Sequence, residues 1–202
     1  MSRTDAVPTG NTYDKYATTN PVERRLMAGF LTRLEASLPR SAPRTVLEVG
    51  VGEGEVAARV TERYGGAFVA GVDLPAAALA EHWAARRLPA AFADVCALPF
   101  RDRGFDLVLA IEVLEHVARP HDALREIVRV ARADVVLSVP REPLWRVANM
   151  ARGKYLSAYG NTPGHVQHWS RRGFVRLVED HLDVTAVHSP PPWTMVRARV
   201  RG

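Results

Sequence analysis

The alternation of short apolar runs with helical stretches constrains the fold of this chain more than any other feature. Runs that are apolar on both faces and alternate with helices are typical of a parallel sheet covered by helices on both sides. Three consecutive prolines, Pro190 to Pro192, separate the last two runs and favour a hairpin there. The predicted strands lie at residues 45–49, 68–72, 90–93, 105–111, 135–139, 184–188 and 194–200. The sequence therefore predicts a doubly wound α/β sheet that ends in a hairpin.

The first predicted helix begins with a recognisable start signal. Asn20 can cap the helix, and Pro21 fits its first turn. Apolar residues recur at a spacing of four and predict its buried face: Val22, Leu26, Phe30, Leu34 and Leu38. The other predicted helices lie at 53–64, 75–87, 120–132, 143–150 and 171–181.

The composition fits one globular domain. The chain has 202 residues, of which 47% are hydrophobic and 24% charged. No apolar run reaches the roughly 18 residues that a membrane span needs, and the polar N-terminus does not resemble a signal peptide. Cys96 is the single cysteine, which favours a cytoplasmic protein. We expect a flexible arm over residues 1–20 and a single domain over residues 21–202.

The positive charge is concentrated near the C-terminus. The chain carries a net charge of +5, whereas residues 141–202 hold ten basic and four acidic side chains, a net charge of +6. Such a region can meet an anionic substrate, a nucleic acid or a membrane surface, or it can simply solvate helix faces. The arginines are dispersed and lack interleaved aromatic residues, which disfavours a nucleic-acid partner.

A glycine-rich turn follows the first predicted strand. Gly50, Gly52 and Gly54 let the backbone adopt positive φ and approach a ligand at the start of a helix. The G-x-G-x-G spacing lacks the third glycine of the dinucleotide-binding pattern G-x-G-x-x-G. Glu48, which precedes the turn, would repel a pyrophosphate and favour a cationic ligand.

Acidic residues end the next two predicted strands. Asp73 can accept hydrogen bonds from both hydroxyls of a ribose, or it can cap the following helix. Asp94 can accept from an adenine amine while the N–H of Val95 meets a ring nitrogen, or it can be a turn residue. Strand 105–111 ends at Ile111, in the same region of a parallel sheet. Ligands of such sheets bind beyond the carboxyl ends of the strands.

Together these motifs resemble the class I S-adenosylmethionine (SAM) dependent methyltransferases, in particular the methyltransferase-11 subgroup that includes ubiquinone-type O-methyltransferases. The resemblance covers residues 44–140 and implies a Rossmann-like, seven-stranded sheet with an antiparallel last strand. It implies SAM as cofactor, with the methionine half beside Glu48 and the glycines, and Ile111 near the sulfonium. The remaining cofactor-binding residues that it implies are Tyr16 of the N-terminal arm, Asp73 at the ribose, Leu74, Asp94 and Val95 at the adenine, and Glu112.

Three histidines are candidates for the general base that a hydroxyl acceptor requires. His116 follows the strand that faces the methyl group, and His165 and His168 lie in a loop after strand five. Each can instead be a structural residue. Glu112, Glu115 and His116 resemble an E-x-x-E-H cluster that is associated with a divalent cation in ubiquinone-type enzymes. We expect no metal, with a divalent cation at this cluster as the alternative. A zinc site at the loop histidines is disfavoured, because no cysteine or acidic partner is nearby.

The sequence therefore predicts a methyltransferase that acts on a small molecule, at a hydroxyl oxygen of an anionic or phenolic acceptor. The segment 140–170 is expected to shape the acceptor pocket, and the protein to be a monomer or a homodimer. An RNA or protein methyltransferase is an alternative, although Ile111 to Leu114 lack the N/D-P-P-[YF] pattern of amino-methylating enzymes. A SAM-binding protein without transferase activity is another. A nicotinamide dehydrogenase is disfavoured by the loop spacing and by Glu48.

Overall fold

The computed structural model describes residues 18–153 and 155–202. Within them, seven strands form one sheet in the order β3-β2-β1-β4-β5-β7-β6. Every neighbouring pair is parallel except the two pairs that β7 makes with β5 and β6. The strands are β1 Thr45–Val49, β2 Phe68–Asp73, β3 Ala90–Phe92, β4 Phe105–Ile111, β5 Ala131–Pro140, β6 Asp183–His188 and β7 Trp193–Arg199. The predicted doubly wound sheet with an antiparallel last strand is confirmed.

Helices cover both faces of this sheet, as predicted. One buried cluster joins α4 and α6 to the sheet, and a second joins α1, α2 and α3 to its other face. The helices are α1 Pro21–Ser37, α2 Glu55–Tyr64, α3 Ala77–Arg86, α4 Pro120–Val130, α5 Leu144–Ala151 and α6 Arg171–Glu179. Two short 3₁₀ turns span Leu114–His116 and Leu156–Ala158.

The start of α1 is as predicted, and most of its buried face is too, since Phe30, Leu34 and Leu38 are buried and Val22 is the exception. The Asn20 side chain accepts hydrogen bonds from the N–H groups of Val22 and Glu23, at 2.9 and 3.3 Å. The buried residues of α1 are Glu23, Met27, Phe30, Leu34 and Ser37. Val22 is 62% exposed, because a strict spacing of four drifts around a helix by about 40° per step. An alternating spacing of four and three stays on one face.

Local backbone geometry also shifts two predicted boundaries. Helix α2 begins at Glu55 rather than at residue 53, since Gly52 and Gly54 hold positive φ angles of 52° and 84°. Strand β5 begins at Ala131, where α4 has just ended, four residues before the predicted start. The sequence predicted the β6–β7 hairpin, but it did not indicate that β7 inserts between β5 and β6.

Parallel register brings the strand ends that matter for function to one edge of the sheet, called here the carboxyl edge. Val49 pairs with Val72 on one side and Ala110 on the other, and Asp73 pairs with Phe92. The glycine turn and the ends of β2, β3 and β4 therefore surround one crevice. In the described ranges, no helix is long and apolar enough to cross a membrane.

Candidate functional site

The glycine turn is held against β2 by the main chain. The N–H groups of Gly50 and Val51 both donate to the carbonyl of Val72, at 2.8 and 3.0 Å. The N–H of Gly54 donates to Val51 O at 2.9 Å and closes the turn. Gly50 has a φ of 69°, so all three predicted glycines adopt the left-handed conformation that their sequence position indicated.

The three glycines differ in what a side chain would meet. A Cβ on Gly50 would lie 2.3 Å from Val113 Cγ2, and one on Gly54 would lie 2.9 Å from Leu88 Cδ2. These two positions are required by packing as well as by φ. A Cβ on Gly52 would have nothing within 4 Å. The turn therefore leaves room for a ligand above Gly52.

Asp73 lies directly beside this open position. Its Oδ2 accepts from Gly52 N and its Oδ1 from Leu74 N, both at 2.7 Å. Burial raises the pKa of Asp73, although both N–H groups act in the opposite direction. The helix-cap alternative is wrong, because α3 begins after Ala76 without a side-chain cap. Each carboxylate oxygen can still accept a second hydrogen bond, as a ribose would require.

Two aromatic residues that sequence reasoning missed border the same place. Trp83 donates its indole N–H to Gly52 O at 2.7 Å, and its ring lies 4.9 Å from that of Phe92. Leu74 and Phe92, which end neighbouring strands, are both exposed. The crevice therefore has an apolar wall beside Asp73, suited to a planar ring. No sequence signal distinguished Trp83 from an ordinary core residue of α3.

Asp94 and Val95 follow β3 on the adenine side of the predicted site. The exposed Asp94 accepts from Cys96 N at 2.8 Å, so it shapes a turn as one alternative stated. Val95 is buried in the core. Their contact with an adenine edge stays a prediction, since the Asp94 carboxylate still has acceptor capacity. Tyr16 lies outside the described residues.

The end of β4 turns sharply into the crevice. Ile111 is buried at the strand end, and Glu112 adopts a φ of 57°. Glu112 Oε1 accepts the indole N–H of Trp193 at 2.6 Å. The carboxylate is thus joined to the first residue of β7, a contact that only the inserted strand provides. Glu48, at the other side of this region, is 3% exposed in β1.

The structure brings two of the three candidate histidines together. The rings of His116 and His165 meet edge to face at 4.8 Å, and Trp145 of α5 stacks on His165 at 6.0 Å. His116 Nδ1 lies 3.0 Å from Gly164 O. A carbonyl only accepts, so Nδ1 donates and Nε2 is the basic nitrogen of the neutral ring.

Glu115 joins this pair through the fold rather than through sequence. A carboxylate oxygen of Glu115 and one ring nitrogen each of His116 and His165 lie within 4.8 Å of one another. These three atoms could bind a metal ion. His165 has no acidic neighbour in the sequence, but the fold brings Glu115 close to it. Glu112, the first residue of the E-x-x-E-H pattern, instead binds Trp193. The absence of a metal stays a prediction.

Main-chain hydrogen bonds attach the histidine loop to the Leu114–His116 turn. Glu115 O accepts from the N–H groups of Val166 and Gln167, at 2.9 and 3.0 Å. In addition, the side-chain amide of Gln167 donates to Val117 O at 3.3 Å. The predicted acceptor segment is thus anchored where β4 ends.

His168 points to a different partner. It is exposed, and its Nε2 lies 2.7 Å from Asn161 Oδ1. The neighbouring Trp169 packs on Phe174 with ring centroids 5.7 Å apart, so it belongs to the α6 packing. Of the loop histidines, His165 is the one that the described structure joins to His116.

Glu142, just beyond β5, is a further polar residue at the carboxyl edge. Its N–H donates to Trp169 O at 2.8 Å, and its Oε2 accepts from Arg146 N at 3.4 Å. Its Oε1 is buried and has no hydrogen-bond partner among residues 18–153 and 155–202. Burial raises the pKa of Glu142. A carboxylate oxygen in this state is rare in folded proteins and suits contact with a ligand donor.

The fold belongs to the class of doubly wound α/β proteins with a crevice at the carboxyl edge of the sheet, and comparison with known proteins narrows this class. Residues 47–139 match the family model described as a methyltransferase domain. The chain is 38% identical over 110 residues to the demethylmenaquinone methyltransferase of Thermus thermophilus, an alignment covering 50% of each chain. It is 34% identical over 132 residues to the malonyl-(acyl-carrier protein) O-methyltransferase of Geobacter sulfurreducens, covering 60% of this chain and 45% of that one.

A solved structure agrees in fold. The SAM-dependent methyltransferase, possible histamine N-methyltransferase, of Thermotoga maritima superimposes with a TM-score of 0.66 at 18% identity, covering 89% of this chain and 95% of that one. The chain spans about half the length of the curated relatives it matches. Residues 47–139 therefore match a methyltransferase domain, and the relatives and the solved structure that resemble the chain are methyltransferases, the last of them SAM-dependent.

Proposed function

We propose that this protein transfers the methyl group of SAM to a hydroxyl oxygen of a small-molecule acceptor in the cytoplasm. The observation that carries the proposal is the approach of His116 and His165 at the carboxyl edge, 4.8 Å apart and next to the end of β4. This contact brings two imidazole rings together beside the end of β4, one of them from the predicted acceptor segment. The O-methyltransferase of Geobacter sulfurreducens, 34% identical, is consistent with an oxygen acceptor.

The proposed cofactor contacts follow the crevice. The open position above Gly52 takes the amino-acid half of SAM, with Glu48 close to its cationic end. Asp73 accepts from the ribose hydroxyls, and Leu74 and Phe92 flank the adenine. This arrangement matches the charges, since a carboxylate at Glu48 favours a cation and would repel a pyrophosphate.

Methyl transfer from SAM depends mainly on the orientation of the two reactants. The acceptor oxygen attacks the methyl carbon, the carbon–sulfur electron pair passes to sulfur, and S-adenosylhomocysteine leaves. Alignment of the two reactants can supply about 7–11 kcal/mol of the barrier reduction. The hydroxyl proton passes to a base, for which His116 Nε2 is the first candidate because Nδ1 is engaged with Gly164. His165 and His168 are the other two candidates.

The acceptor is proposed to lie under the 140–170 segment. The indole of Trp145, which stacks on His165, provides an aromatic surface there, which suits a phenolic ring. Residues 141–170 hold four basic side chains and one acidic side chain, which favours an anionic group on the acceptor.

Calorimetric titration with SAM, S-adenosylhomocysteine and NAD tests the cofactor assignment. We expect binding of the first two and none of NAD. Binding of NAD, or of none of the three, would overturn the proposal. Release of S-adenosylhomocysteine is then measured with phenols, each paired with its own methyl ether. Turnover of the phenol but not of the ether supports a hydroxyl acceptor, whereas turnover of amines alone contradicts it.

A further inference from the structure

Exposed apolar side chains are concentrated at one corner of the molecule, on α1, α5 and the Leu156–Ala158 turn. The described residues expose nine large apolar side chains in total. Five of them form what we call the α1–α5 surface: Val22, Val147, Met150, Leu156 and Tyr159. Leu156 and Tyr159 are 60% and 74% exposed. Single exposed apolar residues are ordinary on a protein surface, whereas a group of them marks an interaction site.

Direct contacts join the segments of this surface. Arg152 Nη1 lies 2.9 Å from Glu23 Oε1, which ties the end of α5 to the first turn of α1. Arg146 Nε donates to Tyr159 O at 2.9 Å. A Cβ on Gly160 would lie 2.3 Å from Arg146 O, so the 156–160 backbone rests directly on α5. The three segments are therefore neighbours, which groups the five exposed side chains at one corner of the molecule.

Helix α5 exposes apolar side chains on its outer side, which is unusual for a surface helix. On the inner side, Asn149 is buried and donates to Gly160 O, and Trp145 donates to Thr162 Oγ1, both at 2.9 Å. On the outer side, Val147 and Met150 are three residues apart and face the solvent. The polar groups of the inner side are thus satisfied by the protein, whereas the apolar side chains of the outer side are in contact with solvent.

The charges around this surface are positive. Arg24 and Arg25 are exposed on α1, Arg146 lies on α5, and Arg152, just beyond α5, is paired with Glu23. Apolar side chains surrounded by arginines match the interface of an anionic bilayer, where the former enter the acyl boundary and the latter reach phosphates. A second copy of the chain would bring like charges together. A nucleic acid would find Tyr159 as the single stacking ring among these five residues.

We propose that the α1–α5 surface docks the protein on an anionic lipid bilayer. The inner side of α5 carries Trp145, which stacks on His165 at 6.0 Å. Docking therefore places the predicted acceptor pocket at the lipid surface, where an acceptor dissolved in the membrane can reach it. Docking depends on the exposed apolar side chains and the arginines around them, and it does not depend on the methyl-transfer proposal.

Co-sedimentation of the full chain with vesicles tests the proposal. We expect binding to mixed phosphatidylglycerol–phosphatidylcholine vesicles, little binding to pure phosphatidylcholine, and weakening at high salt. The double substitution Leu156→Ser, Tyr159→Ser should reduce binding on the order of tenfold or more, since two apolar side chains leave the interface. Phe68→Ser is the matched control, because Phe68 is 54% exposed on a different element, at the start of β2.

Equal binding by the double variant and the wild type overturns the proposal, as does equal binding to neutral and anionic vesicles. A concentration-dependent dimer that the double substitution abolishes, without vesicle binding, would assign the surface to a second copy instead. Salt-sensitive binding to RNA but not to vesicles would assign it to nucleic acid. SAM titration of the same variants should be unchanged, which keeps a failure here separate from a failure of the proposed function.

Discussion

The cofactor side and the acceptor side of the crevice are built in different ways. The cofactor side comes from consecutive strands and turns between residues 46 and 95, and its main contacts are main-chain bonds such as those from Gly50 and Val51 to Val72. The acceptor side joins residues that are far apart in sequence, such as His116 with His165 and Glu112 with Trp193. One side is a continuous piece of backbone, and the other is an assembly of side chains.

Because the two sides are built differently, substitutions on each side should change different properties of the protein. Changes on the cofactor side alter backbone conformation, so they should affect SAM binding and folding together. Changes on the acceptor side alter ring contacts and proton transfer, so they should affect turnover while SAM binding persists. Four predictions test this contrast.

The largest expected effect is on turnover. His116→Ala should lower it about 100- to 10,000-fold, the usual contribution of a general base, while SAM affinity stays near that of the wild type. The rising limb of the pH–rate profile should disappear with it. His168→Ala is the comparison, because His168 binds Asn161 rather than the histidine pair. Unchanged turnover in the His116 variant would move the base to His165 or His168.

Next in size is the effect of filling the glycine turn. Gly50→Ala should cost about 3 kcal/mol of unfolding free energy, since a Cβ would lie 2.3 Å from Val113 and φ is positive. Gly52→Ala should cost about 1 kcal/mol from φ alone, while SAM binding weakens. Denaturant unfolding and SAM titration of both variants measure the difference. Similar losses of unfolding free energy in the two variants would mean that the Val113 side chain moves aside at little energetic cost.

Removing the carboxylate at β2 should have a moderate effect on binding. Asp73→Ala is expected to weaken SAM binding by about 1–3 kcal/mol, the scale for losing a charged hydrogen-bond partner. Calorimetry measures it, with Asp94→Ala as a comparison at an exposed turn. An Asp73 variant with wild-type affinity would contradict the ribose assignment. It would leave this residue as an anchor for Gly52 alone.

The smallest expected effect is on stability at the acceptor side. Burial raises the pKa of Glu142, so the folded state holds its proton more tightly than the unfolded state. Stability should therefore fall as the pH rises from the unfolded pKa through the folded pKa, and stay low above it. Glu142→Gln should remove this loss and stabilise the protein by about 0.5–1 kcal/mol at pH 8, a modest figure because the side chain is partly solvated. Thermal unfolding at pH 4 and pH 8 compares the two proteins, and equal stability at pH 8 would contradict this account.

The fold was largely predictable, and the errors have local causes. The strands, the hairpin and the cap at Asn20 depend on neighbouring residues, so they could be read from short patterns. The buried face of α1 was misjudged at Val22, because an apolar spacing of four includes this residue, which lies on the outer side. The same exposed residue became part of the α1–α5 surface.

The candidate site divides in the same way. Short sequence patterns were enough to predict the glycine turn, the position of Asp73 beside it and the doubly wound order, because positive φ, strand polarity and helix periodicity are properties of adjacent residues. The contacts of Glu115 and His165 with His116, and of Glu112 with Trp193, became visible only in the folded molecule. These contacts depend on β7 inserting beside β5 and on a loop docking 50 residues downstream. Such long-range packing is a sum of many weak interactions that no local pattern records.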